Sequence, residues 1–304
     1  MQKLLISVVI TTYNRLDYLK EAVRSVEAQT FKNWELLVID DASSDGTWDW
    51  LTEIKNEQIR VFRQEKNSER SAARNRGLRE AKGEFIMFLD DDDRLRPNAL
   101  TDLVKPLSSD SKIVAAVGAR WKFKEGAYAT KIEHPRIGFK RVIWPELLAG
   151  WSSVSGQNLY RKAIITELGG YRLDLNIGED RELWFRVARL GKVAIIPSIV
   201  LEYRTHQGQW RPTNLVAVRE NIFHECINHL PAEERNRGKQ IRESANCSQK
   251  AEDEYRKGNY RVALNSYLKA CQAAPELVIS PLTGLPLVRG VAKSLVRSLL
   301  PQKR

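Results

Sequence analysis

The sequence has only three cysteines in 304 residues, and no two of them form a CxxC pair. Cys226, Cys247 and Cys271 lie far apart along the chain, so neither a zinc site nor a disulfide framework is expected. No apolar run is long enough to span a membrane. The apolar stretch at residues 4–10 leads directly into Thr-Thr-Tyr-Asn, which is typical of a strand rather than a signal peptide. We therefore expect a cytoplasmic protein with reduced thiols.

Glycine-rich phosphate-binding loops are also missing. Neither GxGxxG nor GxxxxGKS/T occurs, which argues against a dinucleotide-binding fold and a P-loop. The net charge of +11 predicts an anionic partner such as a nucleotide or a lipid surface. No nucleic-acid-binding motif accompanies that charge, so a nucleic acid partner is not expected.

Apolar, β-branched runs alternate with segments whose apolar residues recur at helical spacing. The predicted strands cover residues 4–10, 34–39, 59–62, 85–89, 193–196 and 199–203, and the predicted helices cover residues 16–29, 48–55 and 71–81. The β-α-β-α-β-α-β order of the first half predicts an α/β fold with a doubly wound, mostly parallel sheet flanked by helices. In such sheets ligands bind beyond the carboxyl ends of the strands.

Four consecutive aspartates, residues 90–93, follow the predicted strand at residues 85–89. Adjacent carboxylates repel one another, so a turn that keeps four of them predicts a neutralising cation. Oxygen ligands suit Mn²⁺ or Mg²⁺, especially when a phosphate completes the coordination shell. Polar clusters at residues 11–14 and 40–41 follow two other strands, so all three clusters are expected at one edge of the sheet.

Six motifs in this sequence resemble those of family 2 glycosyltransferases. They are Ser-Val-Val-Ile-Thr-Thr-Tyr-Asn-Arg (7–15), Val-Ile-Asp-Asp-Ala-Ser-Ser-Asp-Gly-Thr (38–47), Ala-Arg-Asn-Arg-Gly (73–77), Phe-Leu-Asp-Asp-Asp-Asp (88–93), Gly-Glu-Asp-Arg-Glu-Leu-Trp-Phe-Arg (178–186) and Tyr-Arg-Thr-His (203–206). They occur in the family's order. The resemblance implies the GT-A fold and transfer of a sugar, with inversion, from a nucleotide-diphosphate donor, usually a UDP-sugar.

The resemblance also assigns donor-binding roles. Tyr13 would stack on the nucleobase, and Asp92 would bind the metal ion, Mn²⁺ or Mg²⁺, that holds the diphosphate. Asp90 and Asp92 would form the DxD element, with Asp90 nearer the ribose and the second metal candidate. Asp91 is kept as a substrate-binding candidate, and Asp93 is expected only to adjust the local charge. The donor-side candidates are Thr11, Tyr13, Arg15, Asp41, Arg74, Asp90, Asp91 and His206.

The catalytic base implied by the family's motif is Asp180. A single inverting displacement needs a base to accept the proton of the acceptor hydroxyl. Asp180 precedes an amphipathic segment, so an ordinary helix-start carboxylate is the alternative reading. Glu179 would bind the acceptor or position the loop, and Trp151 would stack on a sugar unless it belongs to the core. The acceptor, a glycan or a lipid-linked molecule, is not specified by these residues.

The expected domains are a GT-A domain over residues 1–220, a helical region over residues 221–280 and a basic tail over residues 281–304. Within the GT-A domain, residues 1–105 form the nucleotide-binding half and residues 106–220 the acceptor half. The helical region resembles one tetratricopeptide helix pair, carried by Ala251, Gly258, Asn259, Tyr260, Ala263, Leu264, Tyr267, Ala270 and Pro275. A single repeat cannot bury its own apolar face, so it must pack on other parts of the chain.

The tail carries a predicted amphipathic helix at residues 287–300. Arg289, Lys293 and Arg297 recur every four residues beside an apolar side. That side consists of Val288, Val291, Ala292, Leu295, Val296, Leu299 and Leu300. This pattern fits a helix in an anionic membrane interface, at the inner face of the membrane, or a helix docked on the protein with a solvated basic stripe. Two other functions stay open at this point: a nucleotidyltransferase, and a non-catalytic binding or scaffold protein that uses the helical tail.

Overall fold

A computed structural model describes residues 4–124, 131–133, 139–141, 147, 153–175, 177–206, 215–278 and 284–299. The chain divides into two compact units, Met1–Val142 with Ser153–Arg219, and Ile143–Ser152 with Glu220–Arg304. The expected acceptor residue Trp151, and the neighbouring Trp144, lie outside the described residues.

The first unit begins with alternating strands and helices. In order these are β1 (Ile6–Thr12), α1 (Leu16–Glu27), β2 (Trp34–Asp40), α2 (Thr47–Thr52), β3 (Ile59–Arg63), α3 (Glu69–Glu80), β4 (Phe85–Asp90), β5 (Arg94–Leu95) and α4 (Ala99–Ser109). The unit continues with β6 (Ile113–Lys124), β7 (Lys131–Glu133), β8 (Phe139–Arg141), β9 (Asn158–Arg161), α5 (Lys162–Glu167), α6 (Glu179–Arg189) and β10 (Lys192–Thr205).

The strands form one sheet in the order β3-β2-β1-β4-β9-β6-β10-β5, with β7 paired to β6 and β8 paired to β10. β1 is parallel to β2 and β4, β2 is parallel to β3, and β6 is parallel to β10. β9 is antiparallel to both β4 and β6. The predicted α/β class with a doubly wound, mostly parallel sheet is therefore confirmed. The strands predicted at residues 193–196 and 199–203 form the single strand β10, whose register with β6 is irregular.

The central strands are buried because helices cover the sheet on both faces. β1, β2 and β4 are buried along nearly their whole length, which explains their near-continuous apolar sequences. α1 contributes Leu19, Ala22, Val23 and Val26 to the same core. α3 lies close to β1 at Gly77, where any Cβ atom would collide with the side chain of Val9. This packing holds the ends of β1, β2 and β4 in fixed register.

The second unit is helical in its described residues. α7 (Leu215–Asn228) leads into α8 (Ala232–Arg256), α9 (Tyr260–Ala273), α10 (Pro275–Val278) and α11 (Gly284–Leu299). α8 and α9 pair through a hydrogen bond from Ser244 Oγ to the Ala270 carbonyl oxygen, 2.7 Å. The Tyr267 hydroxyl donates to Glu252 Oε1 at 2.6 Å. The tetratricopeptide resemblance of this helix pair stays an interpretation.

α11 packs on α9 through small residues. Gly290 lies against the ring of Tyr267 so closely that a Cβ atom could not be accommodated, and Ser294, one turn later, is buried. Leu295 and Val296, assigned to the apolar side of this helix, are 46% and 59% exposed. The helix is therefore docked on its own unit while apolar side chains stay accessible. No helix in the described part of the chain is long and apolar enough to cross a membrane.

Candidate active site

The three polar clusters meet at the carboxyl edge of the sheet. Thr11 lies opposite Asp90 in the pairing of β1 with β4, and Thr12 lies opposite Asp40 in the pairing of β1 with β2. Because the three strands are parallel and in register, their carboxyl ends stop at the same level. The loops that follow them therefore share one side of the sheet.

These loops hold one another through side-chain bonds to the backbone. The Asn14 amide donates to Ser43 Oγ at 2.9 Å, and the Ser44 amide donates to Asn14 Oδ1 at 2.7 Å. Asn14, Ala42 and Glu69 are the non-glycine residues with positive φ in the described part of the chain, and all three lie in or beside these loops. Such backbone conformations cost free energy and concentrate at functional sites.

The second aspartate of the acidic run, Asp91, points into the protein. Its carboxylate accepts a hydrogen bond from Thr12 Oγ1 at 2.8 Å and one from Arg15 Nη1 at 3.1 Å. Burial raises the pKa of Asp91 to about 6, with the positive charge of Arg15 opposing that rise. Asp91 was predicted to bind substrate, and its place in the structure is an internal one that anchors the turn to β1.

Asp90, Asp92 and Asp93 each offer one carboxylate oxygen, and these oxygens lie within 4.8 Å of one another. Asp93 is only 1% exposed, and its Oδ2 atom has no hydrogen-bond partner among the described residues. Burial raises the pKa of Asp93 well above its usual value, and the charges of Asp92 and Asp90 raise it further. A buried anionic oxygen without a donor is costly unless a cation binds it, so the set fits a divalent, oxygen-preferring metal ion. Asp93, expected only to adjust charge, belongs to this set.

Two basic side chains contact the same oxygen of Asp92. Arg15 Nη1 and His206 Nε2 each lie 3.1 Å from Asp92 Oδ2. The His206 ring packs 5.0 Å from the ring of Tyr18, between centroids, which orients the imidazole. His206, which directly follows β10, thus lies beside the carboxylate cluster.

Arg74 joins the two halves of the site. Its Nη2 atom lies 2.7 Å from Asp90 Oδ1 and its Nη1 atom 2.9 Å from Glu179 Oε1. Nη2 also donates to Ser155 Oγ at 3.3 Å, and the guanidinium lies 5.1 Å from the ring centroid of Tyr171. The Arg74 and Glu179 side chains are each 4% exposed. One buried guanidinium therefore connects the acidic turn to the start of α6.

Asp180 lies in the first turn of α6, after Gly178, whose φ of +78° favours glycine. Its Oδ1 atom accepts a hydrogen bond from the Arg181 amide at 2.7 Å. Burial raises the pKa of Asp180, and the adjacent charge of Glu179 raises it further, while Arg74 opposes the rise. A carboxylate whose pKa lies above its usual value is a better proton acceptor near neutral pH.

The nucleobase candidates lie around the loops after β1 and β2. The Tyr13 side chain is 46% exposed and accessible for stacking. Asp41 is buried, and its Oδ1 atom accepts hydrogen bonds from the amide and the hydroxyl of Ser68, both at 2.9 Å. Thr11 is partly buried at the end of β1.

Several residues at this site were given no role from the sequence. Thr12 belongs to the polar cluster at residues 11–14, which is expected at this edge of the sheet, but its contact with Asp91 is not evident from the sequence. Tyr171 and Ser155 reach Arg74 only because distant segments come together, and nothing in their local sequence points to that. Arg204 lies inside the Tyr-Arg-Thr-His motif, so its sequence position marks it as a site residue even though the motif alone assigns it no role.

The sequence was also compared with models of known protein families. The sequence model described as "Glycosyl transferase family 2" matches residues 7–169, more than half of the chain. The chain belongs to glycosyltransferase family 2. The resemblance inferred from the six motifs is thereby confirmed.

Among curated family 2 relatives, TuaG of Bacillus subtilis (strain 168), named for teichuronic acid biosynthesis, is 34% identical over 134 residues, 43% of this chain and 53% of TuaG. An Escherichia coli protein, WfaP, is 40% identical over 89 residues, 29% of this chain and 36% of WfaP. It is named as a UDP-Glc:alpha-D-GlcNAc-diphosphoundecaprenol beta-1,3-glucosyltransferase. These matches span about half of TuaG and about a third of WfaP.

The fold is also similar to that of solved glycosyltransferases. The structure of S. aureus TarS residues 1–349 in complex with UDP-GlcNAc superposes with a TM-score of 0.65, covering 96% of this chain and 88% of that chain at 19% identity. The same TarS residues in complex with UDP give a TM-score of 0.62. At this level of identity the likeness establishes the GT-A fold.

The buried contacts of Arg74 with Asp90 and Glu179 should contribute to the stability of the folded protein. Arg74→Ala leaves the Glu179 carboxylate buried without its close partner, and breaking such a pair costs about 3–5 kcal/mol. Arg70→Ala is the matched control, because Arg70 lies 3.8 Å from the same Glu179 oxygen but is 50% exposed. Its loss should cost less than about 1 kcal/mol. Urea unfolding followed by circular dichroism measures both; equal losses in the two variants would contradict the bridging role.

Proposed function

We propose that this protein is an inverting, metal-dependent glycosyltransferase that moves a sugar from a UDP-sugar to a hydroxyl of a glycan or lipid-linked acceptor. The observation that carries this proposal is the pair of contacts made by Arg74, to Asp90 at 2.7 Å and to Glu179 at 2.9 Å. Through these contacts one guanidinium joins the carboxylate cluster to the start of α6, the helix that carries the candidate base Asp180. A nucleotide-sugar donor and an acceptor hydroxyl would each meet one side of that arrangement.

The donor side consists of the residues that the family motifs assign to it. Tyr13 stacks on the nucleobase, and Asp41, the residue after β2, lies beside that base. Asp90, Asp92 and Asp93 hold the Mn²⁺ or Mg²⁺ ion, with His206 beside Asp92. When bound, that ion supplies positive charge to the diphosphate as it leaves. Arg15, 3.1 Å from Asp92, adds a second positive charge at the same place.

The acceptor side centres on Asp180. Its carboxylate takes the proton of the acceptor hydroxyl as the hydroxyl oxygen bonds to the anomeric carbon. The bond from that carbon to the diphosphate oxygen breaks on the opposite face, so the configuration inverts. The raised pKa of Asp180, caused by burial and by Glu179, suits this proton transfer. Glu179, held by Arg74, positions the loop rather than accepting the proton.

The names given to these relatives support the choice of substrates. WfaP is named for a UDP-Glc donor and a diphosphoundecaprenol acceptor, and a Campylobacter jejuni relative for a PP-undecaprenol acceptor. TarS has been crystallised with UDP-GlcNAc. A UDP-sugar and a lipid-linked acceptor are the corresponding expectations for this chain.

An anionic membrane surface at the inner face of the membrane is the partner we propose for α11. Val296 is 59% exposed, and Lys293, three residues earlier and so beside it on the helix, is exposed as well. Arg297, which is also exposed, lies one turn after Lys293. Residues 281–304 contain no acidic side chain. Apolar side chains next to lysine and arginine match the chemistry of an anionic lipid interface, and docking there would bring the enzyme to a lipid-linked acceptor.

A panel of nucleotide sugars tests the donor assignment. With Mn²⁺ present, UDP-sugars should raise the melting temperature more than GDP- or TDP-sugars, because ligand binding to the folded state stabilises it. Chelation by EDTA should remove most of the shift, and so should Asp92→Asn, which deletes a carboxylate of the cluster. Absence of protection by every nucleotide sugar in the wild type would overturn the proposed function.

The role of Asp180 can be measured from rates at different pH values. Asp180→Asn should lower kcat by about 10²–10⁴-fold while UDP and Mn²⁺ still bind, because only the proton acceptor is lost. In the wild type, activity should fall as pH drops through the raised pKa of Asp180, at a pH above the ordinary aspartate range of about 4. Asp174→Asn, at a carboxylate that is 66% exposed, is the control and should leave kcat unchanged. Near-normal turnover in Asp180→Asn would exclude it as the base.

Vesicle flotation tests the membrane surface. The wild-type chain should float with vesicles containing anionic lipid, and Lys293→Glu/Arg297→Glu should lose most of that binding. Lys55→Glu/Lys192→Glu changes the net charge equally at exposed positions of the first unit and should still float. Equal recovery of all three proteins would rule out α11 as the binding face.

A further inference from the structure

The main chain of the acidic turn is held by Arg204, a residue near the end of β10. The Arg204 amide donates a hydrogen bond to Asp93 Oδ1 at 2.8 Å. Its guanidinium Nε atom donates to the carbonyl oxygen of Asp92 at 2.9 Å. Arg204 therefore holds two consecutive members of the carboxylate cluster. Its backbone binds the Asp93 carboxylate, and its side chain binds the Asp92 main chain.

The Arg204 guanidinium is itself fixed on several sides. Its Nη2 atom donates to Glu21 Oε2 on α1 at 2.6 Å. It lies 4.9 Å from the ring centroid of Tyr18 on α1 and 4.9 Å from that of Phe123 on β6. Arg204 is only 5% exposed. A planar cation that stacks on aromatic rings and donates in several directions loses little freedom when it binds, so its position is well defined.

Arg204 is also connected to the imidazole beside the cluster. Tyr18, which packs against the guanidinium, lies 5.0 Å from the His206 ring between centroids. His206 follows Arg204 by two residues, and its Nε2 atom lies 3.1 Å from Asp92 Oδ2. Arg204 thus holds the backbone of Asp92, and the Asp92 carboxylate faces His206. The end of β10 and the ring of Tyr18 position both Arg204 and His206.

We propose that Arg204 is a positioning residue that holds Asp92, Asp93 and His206 in the arrangement that binds a divalent cation. This role deepens the proposed metal-dependent function and rests on it. The guanidinium need not touch the ion, the donor or the acceptor. It acts by fixing the turn's main chain, since a carboxylate on a mobile turn would present its oxygens in many directions and bind a cation less tightly.

Lysine cannot replace arginine in this role. Its ammonium group is a point donor without a planar face, so it cannot donate to the Asp92 carbonyl, pair with Glu21 and stack on both rings together. Arg204→Lys keeps the positive charge and the backbone amide that bonds to Asp93. The substitution therefore isolates the geometry of the guanidinium from its charge.

The test is a Mn²⁺ titration in the presence of UDP, followed by electron paramagnetic resonance of the free ion. Arg204→Lys should bind Mn²⁺ about 10–100-fold more weakly than the wild type, as expected when a residue supporting metal ligands is changed. Arg161→Lys is the matched control. Arg161 also donates to main-chain carbonyls, of Ile113 and Leu107, and lies 5.5 Å from the ring centroid of Phe85, outside the acidic turn. It should keep wild-type Mn²⁺ affinity.

A second variant guards against misfolding of Arg204→Lys. Glu21→Gln removes one anchor of the guanidinium at a side chain that is 37% exposed, so the fold should be retained and Mn²⁺ affinity should fall several-fold. Wild-type affinity in Glu21→Gln and in any folded Arg204→Lys, or equal losses in Arg204→Lys and Arg161→Lys, would overturn the proposal. A wild-type protein that binds no Mn²⁺ with UDP would instead overturn the metal dependence itself, and the role of Arg204 with it.

Discussion

Charge compensation at the end of β4 is the constraint on which the rest of the site depends. Four aspartates in sequence would repel one another, and the fold brings three arginines from other segments to them. Arg15 pairs with Asp91 and Asp92, Arg74 with Asp90, and Arg204 binds Asp93 and the Asp92 backbone. Arg15 and Arg74 form ion pairs with the turn, whereas Arg204 holds it through hydrogen bonds from its backbone amide and its Nε atom. The three residues come from the start of α1, the middle of α3 and the end of β10, so holding the acidic turn also fastens these elements around it.

The same ion pairs give each aspartate a different role. Asp91 is turned inward against Thr12 and Arg15, which makes it an anchor. Asp90 keeps a third of its side chain exposed while Arg74 holds it, and Asp93 is buried with one oxygen that no described residue bonds. Identical side chains in a row therefore differ in exposure, partners and pKa. A cation would complete the compensation that the arginines leave unfinished.

Much of the site could be predicted because the relevant signals are local. Apolar runs ending in Thr11, Asp40 and Asp90 place polar groups at strand ends, and parallel strands bring those ends together. The location of Asp180 at the start of a helix could also be predicted from its sequence position. Asp93 was read as a modifier of charge because a run of identical letters offers no way to see which carboxylate is buried. The predicted apolar side of α11 includes Leu295 and Val296, whereas the helix packs through Gly290 and Ser294, because helical spacing alone does not show which face meets a neighbouring helix.

The sequence by itself determined the α/β class, the family and the identity of most charged groups at the site, because strand and helix periodicity and short motifs are encoded over a few neighbouring residues. Only the tertiary structure decided how those groups are paired. Arg74 meets Glu179, and Arg204 meets Asp93, across more than a hundred residues of chain. Which donor binds which carboxylate depends on strand order and helix packing, and these are set by burial of the whole core rather than by any local segment.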